Sequence, residues 1–182
     1  MSAALEKQAG ATWVTLMTSA SASGAFDFNS QGLGTFRIVV SAADSDEDWS
    51  GDELSRSSTR TVSVSDDDTS LPVITLSGSS GTEVDGQNQR FFWETSDTSG
   101  ISSVLAMLQK FDGSSWNTLA SSSAHTSSFD FNQYGLGTFR VVVSATDNDS
   151  DRSGDTLASS SARQVTVTDD DTSAPSVVIQ GS

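Results

Sequence analysis

The 182-residue chain has no cysteine, a single histidine, a single tyrosine and two prolines. Without cysteine there is neither a disulfide framework nor a thiolate metal site, so stability has to come from a packed core. Positive charge is scarce as well: nine Lys and Arg stand against 24 Asp and Glu, a net charge of −15. A surface of that sign repels phosphate backbones and anionic lipid, which disfavours nucleic acid and membrane surfaces as partners and favours cations. No apolar run approaches the roughly 20 residues that cross a bilayer, so membrane insertion is not expected. The N-terminus also lacks the basic stretch followed by an apolar one that marks a secretion signal.

What the chain does have is a repeat of 103 residues without insertion or deletion. Phe26-Asp27-Phe28-Asn29 returns as Phe129-Asp130-Phe131-Asn132, and Asp66-Asp67-Asp68-Thr69-Ser70 returns as Asp169 to Ser173. Between residues 26 and 72, 32 of 47 positions are identical in the second copy, which makes the chain a tandem array. The expected organisation is an N-terminally incomplete repeat at 1–68, a complete repeat at 69–171, and a linker with the first strand of a following repeat at 172–182. Leu5, Lys7, Gly10, Trp13, Thr15 and Leu16 align with Leu108, Lys110, Gly113, Trp116, Thr118 and Leu119, so Met1 falls inside a repeat and the chain reads as a segment of something longer.

Along the complete copy, short alternating segments are separated by Ser, Gly, Asn and Asp. They predict strands at 72–76, 89–95, 101–111, 116–119, 128–132, 138–146 and 163–168. In the clearest, Phe139, Val141, Val143 and Ala145 point one way while Arg140, Val142 and Ser144 point the other. Residues 101–111 also fit a helical period through Val104, Met107, Leu108 and Phe111, although flanking strands leave little room for a helix. Seven short strands at this spacing predict an all-β fold of tandem immunoglobulin-like antiparallel β-sandwich modules.

The run Gly137-Thr138-Phe139-Arg140-Val141-Val142-Val143-Ser144-Ala145-Thr146-Asp147 resembles the final-hairpin strand of the PKD, cadherin-like and bacterial Ig-like modules. The Thr-Asp-Asp-Asp-Thr-Ser-x-Pro junction resembles linkers between such modules in very large secreted bacterial proteins. The resemblance implies an extracellular or cell-surface stalk or adhesin segment that often carries calcium. Its partners would be neighbouring repeats or other copies of the chain, with a cell-surface glycan or protein as a further one.

Charge placement points to calcium independently. Sixteen of the 24 carboxylates lie in four patches, at 44–53, 66–68, 147–155 and 169–171. Asp147, Asp149 and Asp151 alternate directly after a strand, with Gly154 and Asp155 behind them, and Asp44, Asp46, Asp48, Gly51 and Asp52 repeat the arrangement. A hard divalent ion takes six to eight oxygens, which alternating carboxylates and carbonyls of a tight loop supply, whereas zinc wants nitrogen or sulfur. The spacing departs from an EF-hand loop, because Ser55 and Ala158 stand where the bidentate acid belongs. Further ligands must therefore come from elsewhere. In a sandwich, the last hairpin loop lies at the pole where the chain enters. Asp66, Asp67 and Asp68 are thus expected to meet Asp147, Asp149, Asp151 and Asp155, with Glu94 and Asp97 as extra ligands at the same pole. Such an ion would stiffen an otherwise flexible linker. The competing reading makes these residues ordinary solvated turn formers.

An enzyme is not expected. His125 is the lone histidine, its counterpart is Ala22, and it reads as a surface residue. The carboxylates cluster on loops and do not face each other across a cleft. Gly32-Leu33-Gly34 and its copy Gly135-Leu136-Gly137 read as turns entering a strand, because no helix follows them. Trp13 and Trp116 recur and read as packing residues, with a sugar-stacking surface as the alternative, and Trp49 reads as exposed. Because the first copy lacks counterparts of residues 73–103, a strand-donating fibre subunit is a third functional reading.

Overall fold

The structure, a computed structural model, describes residues 1–46 and 48–181; Glu47 and Ser182 lie outside them. Two compact units are formed. One comprises Met1–Thr69 together with Asp149–Thr156, and the other comprises Ser70–Asn148 and the chain from Leu157 onward. Among the described residues the regular structure is all-β, with twelve strands, two single 3₁₀ turns and no α-helix.

The first unit is one antiparallel sheet in the order β2-β1-β3-β4, built from β1 (Ser2–Ala9), β2 (Thr12–Ser19), β3 (Gly34–Ala43) and β4 (Ser55–Val64). Its first hairpin turns at Gly10, whose φ of 62° is the left-handed conformation that a two-residue strand connection demands. Leu5 and Phe36 are fully buried on one face, and the Phe28 ring packs 4.8 Å from that of Phe36. Lys7 lies over the same ring and donates from Nζ to the Gln31 carbonyl, closing the 3₁₀ turn Asn29–Gln31. Strand β4 is exposed over nearly its whole length.

The second unit has two sheets. Its strands are β5 (Val73–Gly78), β6 (Gly81–Val84), β7 (Arg90–Ser96), β8 (Ile101–Phe111), β9 (Trp116–Ser122), β10 (Thr126–Asp130), β11 (Gly137–Asp147) and β12 (Ala158–Thr168). One sheet runs β10-β7-β5 and the other β6-β12-β11-β8-β9. Every pairing is antiparallel except β6 with β12. Both sheets contribute to one core: Phe91 and Trp93 from β7 meet Val104, Ala106 and Leu108 from β8, and Phe139, Val141 and Val143 from β11. Phe131 stacks 4.7 Å from Phe91 and 5.0 Å from Phe139, and the Trp93 indole satisfies its N–H on the Ala124 carbonyl at 2.8 Å. Burial on this scale is the main stabilising term, at roughly 25 cal/mol per Å² of apolar surface removed from water.

Residues 101–111 form the expected strand and not the alternative helix: Val104, Ala106 and Leu108 are buried while Leu105 is half exposed, a period of two. A bulge between Leu108 and Gln109 then shifts the register against β9. The fifth expected strand sits two residues earlier, at β10, because Asn132 leaves the ladder; its Oδ1 accepts the Gln89 backbone N–H at 2.9 Å and it starts the 3₁₀ turn Asn132–Tyr134. Strand β12 begins at Ala158, well before 163, since pairing with β11 orders a serine-rich stretch that has no apolar alternation of its own. Strand β6 was not expected, being four residues without an alternating pattern and held by β12 alone. His125 is exposed, and its carbonyl accepts from Thr95.

Candidate metal centre

The 149–156 segment is a tight loop closed by its own polar groups. Asp147, at the end of β11, donates its N–H to the Leu157 carbonyl, and both of its carboxylate oxygens lie 3.0 Å from the Leu157 nitrogen. Thr156 Oγ1 donates to the Asp149 carbonyl at 2.8 Å, and the Arg152 N–H donates to Asp155 Oδ2 at 2.6 Å. Gly154 supplies the positive φ that the turn requires. The loop brings buried Asp149 and Asp155 together with exposed Asp151, one carboxylate oxygen from each lying within 4.8 Å of the others.

A second group shares Asp149. Oxygens of Asp66, Asp67 and Asp149 also lie within 4.8 Å of one another, all inside the first unit. Asp66 is held by accepting the Asp68 N–H at 3.0 Å. Around the loop, the Arg152 Nη2 donates to Asn29 Oδ1, and the Ser153 carbonyl comes so close to Gly32 that a Cβ there would meet it at 2.7 Å.

Burial and repulsion set the electrostatics. Asp149 and Asp155 are 7 % and 1 % exposed, yet Asp149 Oδ2 and Asp155 Oδ1 have no hydrogen-bond partner among the described residues. A buried carboxylate oxygen left unsatisfied is costly and calls for an occupant. Burial, then the charge of Asp155, then the hydrogen bond to Asp66 and the charges of Asp67 and Asp66 push Asp149 up to about 6. Asp151 is also raised, first by its hydrogen bond with Asp155, then by burial and by the charges of Asp67 and Asp155, against the opposing pull of Arg152. Both shifts have the sign expected where like charges crowd one another.

The other expected ligands are placed as follows. Asp46, Asp48 and Asp52 form the same triangle in the first copy, but it is largely exposed, and Trp49 beside it is 79 % exposed. Its hydrogen bonds repeat those of the later loop: Trp49 N–H to Asp52 Oδ2, and Leu54 N–H to Asp44 Oδ1. Asp48 is raised by hydrogen bonds to Asp52 and Asp46, then by burial. Asp147 and Asp44 close their loops and belong to neither triangle. Asp97 accepts from Ser99 through Oδ1 and joins no carboxylate group, while Asp68 positions its backbone on Asp66. Asp169 and Asp170 gather instead with Asp85, whose Oδ1 accepts the Asp170 N–H at 2.8 Å. Sequence reasoning gave Asp85 no role; an Asp-Gly turn in a loop carries no signal that separates a ligand from an ordinary turn former.

The recurring tryptophans lie on the sheet surface, where the Arg37 guanidinium sits 4.2 Å above the Trp13 ring and Arg140 lies 4.1 Å above Trp116. One face of each ring is therefore already engaged. No family model and no curated protein matches this sequence.

Proposed function

We propose that this chain is a non-enzymatic structural segment of tandem Ig-like repeats, of an extracellular or cell-surface protein, that binds calcium through Asp66, Asp67, Asp149, Asp151 and Asp155. The observation that carries the reading is the pair of buried, unpartnered oxygens, Asp149 Oδ2 and Asp155 Oδ1, inside an all-carboxylate cluster. A set of oxygens without histidine or cysteine suits a hard cation of flexible coordination, and calcium tolerates an irregular shell better than magnesium does. A bound ion would fasten the segment after β4 to the 149–156 loop, joining stretches that are distant in sequence. That role is mechanical: it removes the repulsion that opens the metal-free cluster and stabilises the folded state by mass action.

The test is calorimetric titration of calcium and of magnesium into chelator-treated protein, with thermal unfolding in parallel. Calcium should raise the melting temperature, and Asp149→Asn and Asp155→Asn should each abolish the shift. Absence of binding heat together with an unmoved transition overturns the proposal.

A further inference from the structure

Resting on the calcium reading above, we infer that the cluster holds two cations and not one, bridged by the Asp149 carboxylate: one ion closes the 149–156 loop and the other ties Asp66 and Asp67 to it. The five carboxylates do not gather into one set. Asp66 and Asp67 meet Asp149 within 4.8 Å, and Asp151 and Asp155 meet it separately within the same distance. Oxygens bound to one calcium at about 2.3 to 2.6 Å lie no more than roughly 5 Å apart, so each triangle is the size of one coordination sphere. Only Asp149 belongs to both triangles, and a carboxylate has two oxygens to divide between two ions.

Charge asks for the same number. The two triangles carry five negative charges when ionised, and Arg152, whose guanidinium donates to Asn29 Oδ1, offsets one of them. Two divalent ions neutralise the remainder, whereas a single ion leaves half of it uncompensated around Asp149 and Asp155, both buried. The triangles are also separable units. In the first copy Asp46, Asp48 and Asp52, the counterparts of Asp149, Asp151 and Asp155, close the loop triangle with no carboxylate from another segment among the described residues. The Asp66 and Asp67 triangle is therefore an addition to a loop that makes a site of its own.

Burial ranks the two. The loop triangle contains both unpartnered oxygens, Asp149 Oδ2 and Asp155 Oδ1, whereas Asp67 is exposed and Asp66 half-buried. Attraction between ion and carboxylate is stronger where water is excluded, so the loop ion binds first and accounts for the rise in melting temperature. The second ion follows at higher calcium and is the one that joins segments distant in sequence. Fastening is thereby graded by calcium concentration, the loop filling before the 66–67 segment is tied to it.

The test counts calcium bound per chain by equilibrium dialysis of the full chain and follows backbone amide resonances through the same titration. Carboxylates outside the cluster contribute equally to parent and variants and cancel from the differences. Asp67→Asn should lose one ion, and Asp149→Asn, the shared vertex, should lose two. Amides of residues 151–156 should move in an early phase and those of 66–68 in a later one, and Asp67→Asn should erase only the later phase. Asp67 is exposed and the substitution nearly isosteric, so calcium-free spectra of parent and variant should agree away from the site. Equal losses of one or two ions from the two variants, or a single phase in which both sets of amides move together, overturn the two-ion centre and leave the calcium reading standing. Loss of no ion from either variant overturns both.

Discussion

Acidification from pH 7 to pH 5 provides the sharpest test of the metal centre, because it acts on Asp149 while leaving ordinary carboxylates ionised. Asp149 is pushed up to about 6 by burial and by Asp155, Asp66 and Asp67, and a cation must displace whatever proton it carries. With that value the site is protonated about one-tenth of the time at pH 7, half the time at pH 6 and about nine-tenths at pH 5. Apparent affinity is divided by the ratio of total to deprotonated site, about 1.1 at pH 7 and about 11 at pH 5, so binding should weaken roughly tenfold. A carboxylate at the ordinary value of about 3.9 would change affinity by less than about 10 % over the same range. Asp151, raised by Asp155 and by burial, acts in the same direction and can only steepen the trend. The assay is calcium calorimetry at pH 5, 6 and 7, in two buffers of different ionisation enthalpy, which counts the protons released. About half a proton from Asp149 is expected per ion at pH 6. Equal affinities at pH 5 and pH 7, with heats independent of buffer, would refute the account of the cluster.

Three further outcomes are expected. For metal-free protein the sign is inverted from the usual one: Asp149, Asp151 and Asp48 hold protons in the folded state that the unfolded chain has released, so the stability they contribute is full near pH 4 and is lost as pH rises from there through about 6. Melting temperatures in chelator should follow that course; Asp112, lowered by the Ser114 and Ser115 N–H groups, turns the curve down only in stronger acid. Gly32 and Gly135 share a φ of 69° and 67°, so alanine costs about 1 kcal/mol at either. Only Gly32 also faces the Ser153 carbonyl, and Gly32→Ala should therefore exceed Gly135→Ala by about 1 to 3 kcal/mol in urea denaturation. Val165→Ala should cost about 2 kcal/mol in urea denaturation, whereas Val62→Ala should cost less than about 0.5, because the first side chain is buried and the second half exposed.

Much of this molecule could be read from its residues, and the division between legible and hidden follows from what each signal depends on. Strands β8 and β11 declare themselves, because side chains alternate across a pleated ribbon and each buries a full face of Val, Ala, Leu or Phe. Strand β6 does not: Gly81–Val84 is a strand only because β12 lies alongside, and a pairing between residues 84 positions apart leaves no periodic mark on either. Strand β10 shows the dependence from the other side. Its counterpart at residues 23–27 keeps only Phe26 and Asp27 and forms no strand, whereas β10 is held by its ladder to β7. The acidic loops divide the same way. Alternating aspartates before a glycine fix that carboxylates will crowd together, but not which oxygens remain free; Asp147 turns both of its oxygens to the Leu157 N–H, while Asp149 and Asp155, two and eight residues on, are left with an unpaired one. Local hydrogen bonds therefore sort ligand candidates from loop staples. The same staple at Asp44 and Leu54, in a loop whose triangle stays largely exposed, argues that the fold of the loop comes first and that the carboxylates of Asp66 and Asp67 gathered beside Asp149 are what set the two loops apart.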